Sequence, residues 1–167
     1  MKTKKKSLLC LVFALAALAG SSAAQKGTFS DPNLEFTFEI PDDRWKVIGK
    51  SPATVVFGTS REGELEVRKL TAPATKPLGE VIKDEEQKLQ FQPGFVAGKD
   101  ENFSGALRGA VYNYEFVRSG RPMAGRFYFL RSGDTVYVLR FTAYTSNLRS
   151  LRTQTDVIAR TFQVKKS

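Results

Sequence analysis

The chain has 167 residues and a formal net charge of +9, with one cysteine and no histidine. Without an imidazole there is no Ser-His-Asp triad, no Cys-His nucleophile, no histidine-bearing zinc site and no histidine-ligated haem. A lone cysteine cannot close an internal disulfide, so the fold has to rest on its core.

The first six residues, Met1-Lys2-Thr3-Lys4-Lys5-Lys6, are basic, and an uncharged apolar run follows from Ser7 to Gly20. Small residues then lead to Ala24. A positive start, a short apolar run and small residues at the cut form a cleavable secretory signal, with cleavage expected after Ala24. The run is shorter than the ~20 residues a membrane span needs, so no stable span is expected once residues 1–24 are removed. Cys10 lies inside the run, away from a lipidation position. Removal leaves 143 residues with 22 cations against 17 acids and no cysteine. Much of the basicity therefore belongs to the address. Residues 25–167 suit one domain, expected to be secreted or periplasmic, with no nucleic-acid partner.

The mature chain opens with a polar leader, Gln25 to Pro32. Leu34 to Ile40 then alternates, with Leu34, Phe36, Phe38 and Ile40 on one side, as a half-buried strand does. Pro41-Asp42-Asp43 makes a turn into a short extended piece, Trp45 to Ile48. Strands are predicted over Ala53–Thr59 and Glu64–Leu70, joined by a turn at Ser60-Arg61-Glu62-Gly63. Pro77 prepares a helix start. Leu78, Val81, Ile82 and Leu89 share one face of a helix over Leu78–Gln90, whose surface pairs Asp84 and Glu80 with Lys88 and Lys83. From Phe95 to Tyr144 the chain is a meander, with strands over Leu107–Val117, Ala124–Leu130 and Thr135–Tyr144. Ser-Gly turns at Ser119-Gly120 and Ser132-Gly133 separate them. Leu148, Leu151, Thr155, Ile158 and Phe162 mark a last helix, capped by Thr145 or Ser146.

Phe127 and Phe129 oppose Tyr128 and Leu130, and Val136 and Val138 oppose Tyr137, Leu139 and Phe141. A sheet apolar on both faces needs cover on both. The expected class is α+β: an α/β/α sandwich, its central, mostly antiparallel sheet covered by helices on each face.

The order of elements resembles a known superfamily. An alternating strand ends in a proline turn and a tryptophan (Phe36 to Trp45). A helix precedes Pro93-Gly94-Phe95, a meander carries Ser104-Gly105-Ala106, and a last helix leads into Arg160-Thr161-Phe162. This is similar to the superfamily of the PsbP photosynthetic subunit, the Ran-binding Mog protein and the DcrB-type envelope proteins. The resemblance implies the same sandwich and a binding or accessory role. It carries over no functional residue, because metal-linked histidines have no counterpart here.

No residue is assigned a catalytic, cofactor or metal role. Glu35 and Glu39 share a strand face but stand about 13 Å apart at ~3.3 Å per residue, too far for paired glycosidase carboxylates. Asp42 and Asp43 are turn residues. Arg118, Arg121, Arg126, Arg131 and Arg140 lie in the meander among Tyr114, Tyr128 and Tyr137, and are the candidate surface for an anionic ligand. Arg149, Arg152 and Arg160 lie on the last helix. Trp45 is a candidate pocket aromatic. The expected function is a non-enzymatic, exported accessory domain that pairs with another envelope protein. The alternatives are a binder of anionic polymer or lipid surfaces through the arginine-rich meander, and a hydrolase built on carboxylates alone.

Overall fold

A computed structural model describes residues 27–50, 54–58 and 63–165. The predicted signal with its cut after Ala24, and the turn at 60–62, lie outside the described residues. The strands are β1 (Gly27–Ser30), β2 (Phe36–Ile40), β3 (Lys46–Lys50), β4 (Thr54–Gly58) and β5 (Glu64–Thr71); helix α1 (Leu78–Leu89) follows. Then come β6 (Val96–Ser104), β7 (Arg108–Arg118), β8 (Arg121–Ser132), β9 (Thr135–Tyr144), α2 (Thr145–Thr161) and the short β10 (Gln163–Val164).

Seven strands form one sheet in the order β3-β4-β5-β9-β8-β7-β6, and each neighbouring pair is antiparallel. The β7–β8 hairpin closes through Ser119 and Gly120, with φ of 50° and 75°. Two successive left-handed residues make the tight turn whose twist matches paired strands. Gly125 has a different task. The Tyr114 ring crosses it so closely that a Cβ there would lie 2.0 Å from Tyr114 Cζ.

The two-faced pattern of β8 and β9 is realised as two cores. Tyr128, Leu130, Tyr137, Leu139 and Phe141 face α2, where Leu151, Ile158 and Phe162 meet them. Phe127, Phe129, Val136 and Val138 face α1, against Val81, Ile82 and Leu89. Each such side chain, fully buried, contributes about 1.5–3 kcal/mol.

Several expectations are corrected. Part of the polar leader is strand β1, which pairs with β2, and β10 pairs with the other edge of β2. This second, three-stranded sheet joins α2 in covering one face, with Phe29 stacked 5.0 Å from Phe38. No side chain caps α2: β9 runs straight into it, and the extended Tyr144 occupies the cap position. On α1 the ion pairs are Asp84 with Lys76 and Lys88 with Glu85. Glu85 itself is buried beneath the helix and also pairs with Arg68 of β5.

Candidate functional site

The five candidate arginines do not form one surface. Arg126 alternates with Tyr128 and Leu130 and so faces α2, where it is 5% exposed. Its Nε donates to the Tyr128 hydroxyl at 2.6 Å, Nη1 to Asn113 Oδ1 at 2.8 Å and Nη2 to Asp156 Oδ1 at 3.0 Å. Tyr128 donates in turn to Asp156 and lies 3.1 Å from the Thr155 hydroxyl. Burial pushes the Tyr128 hydroxyl up to about 12, so it stays a neutral donor. Arg126 thus clamps α2 to the sheet, its charge compensated by Asp156 as a buried cation requires.

The other four lie on the α1 face. Arg131 donates to the carbonyls of Ala72, Pro73 and Lys76 and holds the loop before α1. Arg140 donates to the Tyr114 hydroxyl at 2.9 Å and stands 5.6 Å from the Phe127 ring centre. Arg118 lies 5.4 Å from the Phe116 ring and Arg121 3.6 Å from that of Tyr144. These three cover aromatic rings by cation–π contact.

Trp45 is a core anchor: it is 4% exposed, edge-on to Phe141 at 5.9 Å, and its Nε1 donates to Gln154 Oε1 at 3.0 Å. Gln154 also donates to Asp42, which accepts from the Arg44 backbone and side chain. The Arg44 guanidinium, above all, holds the Asp42 carboxyl below the usual range. Glu35 is occupied by Lys69 at 2.7 Å and by the Tyr137 hydroxyl at 2.6 Å.

The described residues include the linings of two clefts. One, of about 260 Å³, lies under the start of α1 and is lined by Ala72, Lys76, Val81, Asp84, Glu85 and Lys88. The ion pairs already described occupy its polar groups. The other, of about 360 Å³, opens at the β6 edge and is lined by Val96, Gly98, Asn113, Glu115, Ala124 and Leu148 among others. It exists because the register of β6 on β7 shifts between Ala97 and Asp100, and such a bulge bends an edge strand away from its neighbour. Asn113 forms one wall and is fixed by Arg126. Val96 is 58% exposed at the rim, and Glu115 is exposed beside it. Sequence reasoning placed Ala124 on a strand and Leu148 on the last helix but assigned none of these six residues to a site. The bulge that gathers them at Val96-Ala97-Gly98 lies in a stretch with no alternating pattern to mark it.

The fold is an α+β sandwich, and solved structures that include PsbP and Mog1 proteins share it. Cyanobacterial PsbP from Synechocystis superposes with a TM-score of 0.58 at 17% identity, over 90% of this chain and 98% of that one. The Ran-binding protein Mog1p of Saccharomyces cerevisiae gives 0.63 at 11%, over 85% and 96%. LpqN of Mycobacterium tuberculosis, involved in cell envelope biogenesis, gives 0.52 at 17%, over 92% and 98%. No protein-family model matches the sequence, and no curated protein matches it. Among the described residues no helix is long and apolar enough to cross a membrane.

Proposed function

We propose that this is a non-enzymatic accessory domain of the cell envelope, exported by its N-terminal signal, which holds a segment of a partner protein in the edge cleft. The observation that carries this reading is the cleft itself. It combines apolar contacts from Val96, Ala124 and Leu148 with an amide and a carboxylate, Asn113 and Glu115. Its volume falls within the ~300–1,000 Å³ of ordinary ligand sites. The Asn113 wall is pre-set by the buried Arg126 network, which lowers the ordering cost of binding. Fold neighbours that bind Ran or serve envelope biogenesis agree with a binding role. The N-terminal charge and apolar pattern supports export.

The test is capture with a C-terminally tagged full chain in its native host, washed across a salt series. The expected result is one partner in stoichiometric amount, retained at high salt and lost from Val96→Asp. That substitution is at an exposed rim residue and leaves the core intact. Recovery of the chain alone, or a partner indifferent to Val96→Asp, rejects the reading.

A further inference from the structure

Two stretches that meet at one end of the sheet contain cations and no acid. Gln87–Val96 carries Lys88, and Val117–Gly125 carries Arg118 and Arg121. The Val117 amide donates to the Pro93 carbonyl at 2.7 Å and ties them together. Phe91, two residues before Pro93, is 91% exposed, more than any other large apolar side chain among the described residues. Lys88 is engaged by Glu85. No carboxylate among the described residues pairs with Arg118 or Arg121. Instead their guanidinium groups lie by the Phe116 and Tyr144 rings, and Arg121 donates to the Tyr144 hydroxyl at 2.7 Å. The nearest acid along β7, Glu115, alternates with Tyr114 and Phe116 and so faces the other side.

A protein interface would surround Phe91 with a flat apolar patch that keeps water from the guanidinium contacts. Here the apolar element is one protruding ring on a segment tied to two exposed cations that no carboxylate among the described residues pairs, with a tyrosine behind one of them. That shape and charge match the boundary of an anionic bilayer. The ring enters the acyl edge, the cations meet lipid phosphates, and the amphipathic side chains sit at headgroup level. We propose that this corner docks the domain onto a bilayer rich in anionic lipid, with Phe91 inserted and Arg118 and Arg121 on the phosphates. The edge cleft opens on the opposite face and stays free for its partner.

The experiment places Phe91→Trp in the full chain and records emission with vesicles of phosphatidylglycerol or of phosphatidylcholine. Trp45 is buried and common to all chains, so a difference spectrum isolates position 91. The N-terminal apolar run is likewise common to every chain compared. The expected result is a blue shift on phosphatidylglycerol only, lost near 1 M salt, where the screening length falls to ~3 Å. Arg118→Gln with Arg121→Gln keeps the side-chain stems on their rings and should weaken phosphatidylglycerol binding by roughly tenfold or more. Phe91→Ser should weaken it severalfold. The proposal is overturned by failure to associate, by an equal shift on phosphatidylcholine, or by an unshifted indole on vesicles that nevertheless carry the protein. A double arginine variant that binds like its parent overturns it too.

Discussion

The two faces of the seven-stranded sheet are covered by different means. On one, α2 and the three-stranded sheet lay an apolar cover, with Arg160 over Phe103 at its margin, and the one buried cation among the described residues, Arg126, is compensated by Asp156. On the other, the twelve-residue α1 covers only part of the aromatic surface. Beyond it, Phe127, Phe116 and Tyr144 are roofed by the guanidinium groups of Arg140, Arg118 and Arg121. A guanidinium can roof a ring because its stem is apolar and its head stays wet. The first arrangement spends its charges inside the fold. The second leaves charges at the surface, where a ligand can meet them. The arginines of the meander look alike in sequence, but their parity on the strands gives them opposite tasks.

The largest effect is expected where the closed face is opened. Asp156→Ala leaves Arg126 buried and uncompensated, at a cost of about 3 kcal/mol. That is the low end for such a loss, because Asp156 is itself 29% exposed. Arg126→Met in the same chain should recover much of it, and a double-mutant cycle by urea unfolding measures the coupling. Equal losses from the single and the double variant would show that the network does not hold α2. On the α1 face, Gly125→Ala is expected to cost about 2 kcal/mol, because Tyr114 must swing away and abandon its bond to Arg140. In a Tyr114→Leu background the same change should be far milder.

The sequence carried most of this architecture, for physical reasons that also explain its omissions. Opposed apolar residues at Phe127/Tyr128 and Val138/Leu139 required cover on both faces, and both helices fell where their apolar spacing put them. Strand β1 was illegible because three of its four residues are exposed and its pairing to β2 is made by backbone groups. The burial of Arg126 did leave a signal. It shares parity with Tyr128 and Leu130, and a cation at such a position needs a buried partner. The partner lies 30 residues away on α2, a separation that strand periodicity cannot bridge. The edge cleft was invisible because it depends on a register shift.

A smaller effect separates the faces by pH. Burial alone would raise the Glu85 carboxyl, but the hydrogen bonds from Arg68 and Lys88 together outweigh it and hold the group below its ordinary value of 4.5. A depressed folded pKa contributes stability above the unfolded value, and this is lost as pH falls through the folded one. Glu85→Gln should therefore cost about 1 kcal/mol near neutrality and progressively less below about pH 4.5. Urea midpoints across that range check it. In native-state hydrogen exchange the loss should be concentrated in α1 and leave α2 protected. A pH-independent penalty, or one shared by α2, would mean that the two covers do not open separately.

The smallest effect on folding is expected at the corner proposed to meet the bilayer. Arg118→Gln and Phe91→Ser should each change stability by no more than about 0.5 kcal/mol, as exposed substitutions ordinarily do. Arg121→Gln should cost slightly more than Arg118→Gln. Arg121 lies closer to its ring and also gives up a hydrogen bond to Tyr144. Thermal melts of the three variants give that ranking directly. If instead Arg118→Gln destabilised the chain as much as Gly125→Ala, the guanidinium would be a structural part of the α1-face cover, as Arg126 is of the other. The contrast between a closed face and an open one would then end at α1 itself. Near-parental melts combined with weakened vesicle binding would place these cations outside the fold's own needs and assign them to a ligand.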